Sequence, residues 1–170
     1  MKAASYEIVD VLEDGIDHVV LPVGNGSLLI GMVRGYQELL EAEIIGKIPK
    51  FHGVQAHAVR PLVAALNAEE WTHDDVLPTN ASGIAVSKPP RLAEMVDAIR
   101  ITNGTAVTVS EESLFEWQAR LAVSEGIFAE MTSAGAFAGL EKLIDSGVIK
   151  RDSNVCVPIT GSGLKEPLEK

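Results

Sequence analysis

Residues 17–23, DHVVLPV, are apolar at nearly every position, and this run constrains the fold more than any other feature of the chain. A strand with one wet face alternates apolar and polar side chains. A short continuous run predicts instead a strand covered on both faces, as in a parallel sheet between layers of helix. GNGS comes next, and then a segment, 28–42, in which Leu29, Val33, Tyr36 and Leu40 recur on one side of a helix. Strand, glycine turn and amphipathic helix in that order are the unit from which layered α/β domains are built.

The rest of the chain repeats the alternation. Ala3 to Glu13 has helical spacing, with Gly15 as a cap after it. KFHGVQA at 50–56 predicts the second strand and 59–68 the next helix, with Pro61 accommodated in its first turn. Residues 69–90 mix Trp71, His73, Asp74, Asp75, Pro78, Asn80, Gly83, Pro89 and Pro90 without periodicity. They predict a long ordered surface excursion, a feature that tends to be functional in compact domains. A helix over 91–101, a strand over 105–109, a helix opened by Ser110, a helix over 133–146 ended by Gly147 and a last strand over 154–159 complete the pattern. The expected architecture is three-layered, a mainly parallel sheet with helices on both faces, and ligands in such folds collect at the carboxyl ends of the strands.

Composition narrows the function. Fourteen basic against 24 acidic residues give a net charge of −10, with the basic residues scattered, a surface that repels phosphate backbones and argues against nucleic-acid binding. No apolar run approaches the roughly 20 residues of a membrane helix, and the N-terminus lacks the order of a secretory signal, so a cytoplasmic protein with no membrane partner is expected. Cys156, the single cysteine, lies in VCVPI and reads as a small buried hydrophobe. His18, His52, His57 and His73 show no metal-ligand spacing, and no metal site is expected. Trp71 and Trp117 read as packing residues. The acidic pairs at 69–70, 74–75 and 111–112 are expected to face water at helix starts or in the excursion.

Two glycine loops sit where a ligand would. GNGS, between a strand and a helix, leaves the first helical N–H groups unpaired and lets the backbone approach an anion closely. It is neither a dinucleotide fingerprint nor a P-loop, and glycines that merely permit a tight turn explain it about as well. TGSG at 160–163 comes after the last strand, and the Thr160 hydroxyl can meet a ring nitrogen at the same sheet edge. One loop for a phosphate and one hydroxyl for a heteroaromatic ring suit pyridoxal phosphate.

PVGNGSLLIG with RGYQELLEA behind it, GIFAEMTSAGAFAGL at 126–140 and ITGSGLKEP at 159–167 resemble, in order and spacing, the threonine synthases among the fold type II pyridoxal-phosphate enzymes. The resemblance runs from about Tyr6 to the end. Three positions depart from the family pattern: Ser27 stands for a glycine, Met131 for a proline and Ser162 for the usual histidine. The resemblance implies that Gly24, Asn25, Gly26 and Ser27 hold the cofactor phosphate and that Thr160 hydrogen-bonds the pyridine nitrogen. SGIAVSKPP at 82–90 resembles the dehydratase segment that passes beside the ring, and Glu130 matches a glutamate near the cofactor loop. The family's Schiff-base lysine and its asparagine loop for the substrate carboxylate belong to an N-terminal region that this sequence does not contain.

The chain is therefore expected to be a single α/β domain from the C-terminal part of a longer enzyme, inactive alone. The implied reaction is the conversion of O-phosphohomoserine, a small phosphorylated amino acid, to threonine. Threonine dehydratase, cysteate synthase, and a non-catalytic phosphometabolite-binding module or split-enzyme partner are the alternatives. A homodimer is expected, through apolar surface that the rest of such an enzyme would cover.

Overall fold

A computed structural model describes residues 1–12, 15–72 and 78–165. The elements run α1 (Ala3–Val11), β1 (His18–Pro22), α2 (Ser27–Glu41), β2 (Lys50–Ala56), α3 (Pro61–Asn67), α4 (Leu92–Ile101), β3 (Thr105–Val109), α5 (Glu111–Glu125), α6 (Met131–Asp145) and β4 (Val155–Cys156). The four strands form one sheet in the order β3-β2-β1-β4, every pair parallel. All five residues of β1 are buried, which is what its unbroken apolar run requires of a central strand.

Period-2 alternation of the strands splits the core into two layers. Val19 and Leu21 of β1 and Phe51 of β2 pack with Leu29, Met32, Tyr36, Leu62, Met95 and Ile99 from α2, α3 and α4. Val20 and Val54 point the other way, to Leu114, Met131, Ala138 and Leu143 of α5 and α6. The expected three-layer α/β architecture is thus the observed one. Small residues set the close approaches. Gly139 of α6 lies so near β2 that a Cβ there would meet Val54 Cγ2 at 2.3 Å, and Ser5 of α1 donates to the Met32 carbonyl of α2 at 2.9 Å. Among the described residues no helix is long and apolar enough to cross a membrane.

The last strand is shorter than expected. Residues 154–159 were expected to be extended and paired, yet only Val155 and Cys156 join the ladder, opposite His18 and Val19. Carrying that register forward sets Pro158 opposite Leu21 and Pro22 opposite Ile159, at the second and third rungs beyond, and neither proline has an N–H to give. Cys156 is half-buried against the first core layer, and burial pushes its thiol up.

Two further expectations change. Glu112 does face water, but Glu111 turns in, its Oε2 accepting from Asn80 N at 2.9 Å and Asn80 Nδ2 at 3.0 Å, so it anchors the excursion to α5. The four histidines show no spacing relation along the chain, yet His18 and His52 meet on adjacent strands, His18 Nδ1 to His52 Nε2 at 2.9 Å. Trp117 packs as expected, stacked on Phe137 with the Arg120 guanidinium over its ring. Trp71 Nε1 donates to the Ser87 carbonyl at 3.0 Å, closing the excursion on itself. Within 69–90 the described residues hold one 3-10 turn, Ser82–Ile84, and neither α-helix nor strand. His73, Asp74 and Asp75 lie outside the described residues. At the start of α5, Ser110 Oγ accepts from Ser113 N at 3.2 Å. Ser110→Ala is expected to cost about 1 kcal/mol, read as a lower urea midpoint with an unchanged m-value.

Candidate functional site

The site is built at the carboxyl edge of β1. After Pro22 the chain is held by Gln55, a fully buried side chain whose Nε2 donates to the Val23 carbonyl at 3.1 Å. Its Oε1 accepts from Leu62 N and Val63 N at the start of α3, at 2.9 and 3.2 Å. With its exit fixed, the chain turns through Gly24, Asn25 and Gly26 into α2. Gly26 is the N-cap residue of that helix, at φ 76°, a left-handed conformation that costs little only for glycine. No side chain caps α2. Among the described residues no group of the protein accepts from the N–H groups of Gly24, Asn25, Gly26 or Ser27. Asn25 and Ser27 are exposed while the two glycines are buried.

A Cβ would fill this cradle. At Gly24 it would lie 2.7 Å from the Gly83 carbonyl oxygen, and at Gly26 2.3 Å from Met95 Cγ. The 3-10 turn at 82–84 is thus the wall of the loop. Unpaired backbone donors at the positive end of a 15-residue helix, with no acidic residue in its first turn, form a donor set suited to a phosphate monoester.

The second loop is tied to the first through α6. Gly83 N donates to Thr132 Oγ1 at 3.0 Å. The next residue, Ser133, is fully buried, and its Oγ accepts from Thr160 N at 3.0 Å and Gly161 N at 3.1 Å. Thr160 Oγ1 lies 3.0 Å from the same oxygen. Both lone pairs of the serine are engaged, so its own proton goes to Thr160 Oγ1. The Thr160 hydroxyl proton is then left to donate outward, and Thr160 is exposed. In the β1–β4 register this residue falls level with Val23, beside the GNGS loop.

Glu130 locks the other side of TGSG. Its N–H donates to the Gly161 carbonyl at 3.0 Å, its buried carboxylate pairs with Lys165 Nζ at 2.5 Å, and a Cβ on Gly161 would strike it at 2.2 Å. All five residues expected at the site therefore gather at one edge, with Gly83 of the SGIAV segment and Glu130 packed around them. The clamp by Gln55 and the pivot at Ser133 were not anticipated. A Thr–Ser pair in the otherwise apolar and small-residue first half of α6 was the only sequence signal for the second of these. Ser133→Ala is expected to cost about 1 to 2 kcal/mol, since two N–H groups lose their acceptor, and to speed hydrogen exchange at Thr160 and Gly161 relative to α6.

Residues 1–161 match the family model described as pyridoxal-phosphate dependent enzyme. The chain is 36% identical over 172 residues to threonine synthase of Methanocaldococcus jannaschii and 37% identical over 169 residues to that of Methanosarcina acetivorans. In each case 98% of this chain is covered but 42% of the relative, so the chain spans less than half the length of the relatives it matches. The processed form of threonine deaminase isoform 2 from Solanum lycopersicum superposes with a TM-score of 0.75 at 20% identity, covering 95% of this chain and 44% of that one. That last likeness is one of fold. This chain belongs to the pyridoxal-phosphate dependent enzyme family, whose cofactor fits the cradle and hydroxyl at this sheet edge.

Proposed function

We propose that this member of the family is the portion of a threonine synthase that holds pyridoxal phosphate, serving the conversion of O-phosphohomoserine to threonine in the cytoplasm as a homodimer. The observation that carries this reading is the meeting of an uncapped helix N-terminus with an outward-donating hydroxyl at one sheet edge. Identity of 36–37% to threonine synthases along 98% of the chain supports that activity among the family's reactions.

In this reading the backbone N–H groups of Gly24, Asn25, Gly26 and Ser27 hold the phosphate, with the Ser27 hydroxyl beside them. Thr160 donates to the pyridine nitrogen, its direction fixed by Ser133. When bound, the cofactor ring withdraws electrons from the α-carbon of an amino acid attached to it. A neutral hydroxyl partner does not enforce protonation of the ring nitrogen, as a carboxylate would, and so limits that withdrawal. Gln55 and the 82–84 turn keep the cradle in shape, and Glu130 fixes the loop that carries Thr160. No residue of this chain is assigned the role of Schiff-base lysine, and turnover by the chain alone is not expected.

The test is an absorbance titration with pyridoxal phosphate and, separately, with pyridoxal, each followed by borohydride. Saturable binding of the phosphate ester, no binding of pyridoxal and no reducible adduct are expected. Gly26→Ala is expected to weaken the ester at least about tenfold, because alanine disfavours the left-handed backbone by roughly 1–2 kcal/mol and its methyl group displaces Met95. Equal affinity for the two compounds overturns the phosphate assignment, and no binding of the ester overturns the whole reading. Assays of the complete enzyme to which this portion belongs, on O-phosphohomoserine, O-phosphoserine and threonine, separate threonine synthase from cysteate synthase and threonine dehydratase. The first substrate is expected to yield inorganic phosphate and threonine.

A further inference from the structure

At the opposite end of β1 a second polar centre faces a pocket of about 410 Å³, lined by His18, Lys47, Lys50, Lys150 and Ser153. Gly24 lies six strand steps beyond His18, so the two ends are roughly 20 Å apart at the rise of a strand. Asp17 and Asp152 also line the pocket. Asp17 is engaged, accepting from Lys47 Nζ at 2.7 Å and from Asn154 N at 3.1 Å. Lys50 and Lys150, by contrast, make no ion pair among the described residues. Three lysines against two aspartates leave a local excess of positive charge in a chain whose net charge is −10.

Behind the lysines stands the histidine pair. His18 is 7% exposed and His52 1% exposed, their rings stacked with centroids 5.1 Å apart. His18 Nδ1 and His52 Nε2 are 2.9 Å apart and share one proton. His52 Nδ1 is buried without a partner. If that atom carried a proton, a donor would be stranded in the core. If it is bare, only an acceptor is unmet, the less rare of the two defects. The second arrangement puts the shared proton on His52 Nε2, makes His18 Nδ1 the acceptor and leaves the His18 proton on Nε2. The ring edge not engaged by His52 is the one left to face the pocket, so His18 presents an N–H there even when neutral.

We propose that this pocket binds a small divalent oxyanion, the phosphate or dicarboxylate group of a metabolite, with Lys50, Lys150 and the His18 Nε2–H as donors and His52 fixing the His18 tautomer. It is independent of the cofactor cradle: the donors here are side chains at the amino edge of the sheet, there backbone amides at the carboxyl edge.

The experiment uses sulfate as the probe. The chain is titrated with sodium sulfate at pH 7, ionic strength being held with chloride, while long-range nitrogen–proton spectra follow the two imidazole rings. Before sulfate is added, both His18 and His52 are expected to carry their proton on Nε2. Sulfate is then expected to give a saturable shift at His18. Affinity is expected to fall about tenfold in the Lys50→Ala/Lys150→Ala double variant, as the loss of charge-assisted hydrogen bonds predicts, with pyridoxal phosphate binding unchanged. His18→Gln, which can still donate but not in the same geometry, is expected to weaken sulfate with both lysines in place. A proton on His52 Nδ1 overturns the donor arrangement. A shift that chloride reproduces, or one unchanged in the double variant, overturns the site.

Discussion

Gly104→Ala is expected to destabilise the chain by about 3 kcal/mol or more, the upper end of what overpacking costs. Gly104 closes the turn from α4 into β3, and a Cβ there would lie 1.7 Å from the Phe51 carbonyl oxygen and 2.7 Å from its carbon. Both atoms belong to the backbone of β2, so no rotamer change relieves the clash. The turn cannot retreat either. Gly104 N donates to the Ile99 carbonyl at 2.9 Å, and Thr102 Oγ1 accepts from Phe51 N at 3.3 Å. Relief requires β3 to part from β2, beginning at the His52–Thr105 rung. It also requires Phe51, fully buried and edge-on to Tyr36, to move. Gly46→Ala is the control, because nothing lies within 4 Å of a Cβ there, and it is expected to stay within about 0.5 kcal/mol of the parent. Urea unfolding of the two variants side by side decides the matter. Equal midpoints would mean that β2 and β3 give way at this turn without loss of stability.

Acid is expected to act through His52. Burial first, and then the neighbouring charges of His18 and Lys50, push its pKa from 6.5 to about 4. The unfolded chain binds a proton at this side chain near pH 6.5, whereas the folded chain resists until about pH 4. The unfolded state therefore holds more protons across that window, and stability falls as pH is lowered through it. The difference corresponds to about 3 kcal/mol, fully present above pH 6.5 and lost by pH 4. His18 is pushed in the same direction, chiefly by burial, and adds to the slope. Urea midpoints measured between pH 4 and pH 7.5 should show the loss. In His52→Gln, whose side chain does not titrate, the curve should be markedly flatter. A parent curve as flat as that of the variant would show that His52 is charged in the folded state.

The effects expected at the proposed oxyanion pocket are smaller, but they bear on the same pair. A sulfate ion beside His18 changes the surroundings of the ring that His52 supports, so the acid titration and the sulfate titration should be coupled in the spectra of both residues.

How much of the fold and the site was legible in the chain depends on the range of the interaction. The unbroken apolar run at 17–23 announced a strand covered on both faces, and β1 is that strand. Lys50–Ala56 and Thr105–Val109 could be bounded to the residue, because Pro49 precedes the first run, Gly104 precedes the second, and a helix start follows each within a few residues. Ser110 was recognisable as a cap from its place with Glu112 and Ser113 behind it, since capping is satisfied within three residues. The glycine loops were found because their chemistry is that of the local backbone.

Other features depend on residues far apart in sequence. Gln55 reads as an ordinary strand residue until Val23 and the start of α3 arrive on either side of it. Glu111 looked like a solvated helix start, and became an anchor once Asn80 was brought across 31 residues. His18 and His52 are 34 residues apart, with no spacing rule to join them, and meet only because β1 and β2 pair in parallel with Val20 opposite His52. The shortening of β4 required knowing that two prolines fall at neighbouring rungs of different strands.

The sequence by itself determined the layered α/β class, the order of its elements and the position of the two glycine loops proposed to hold a phosphate and a ring, because periodicity, capping and glycine conformations are settled within a few residues. The tertiary structure alone decided which hydroxyl proton is free at Thr160, which carbonyl forbids a side chain at Gly104 and which histidines share a proton. Each of those depends on side chains and backbone brought within about 3 Å by sheet register and helix packing, and no local pattern encodes that distance.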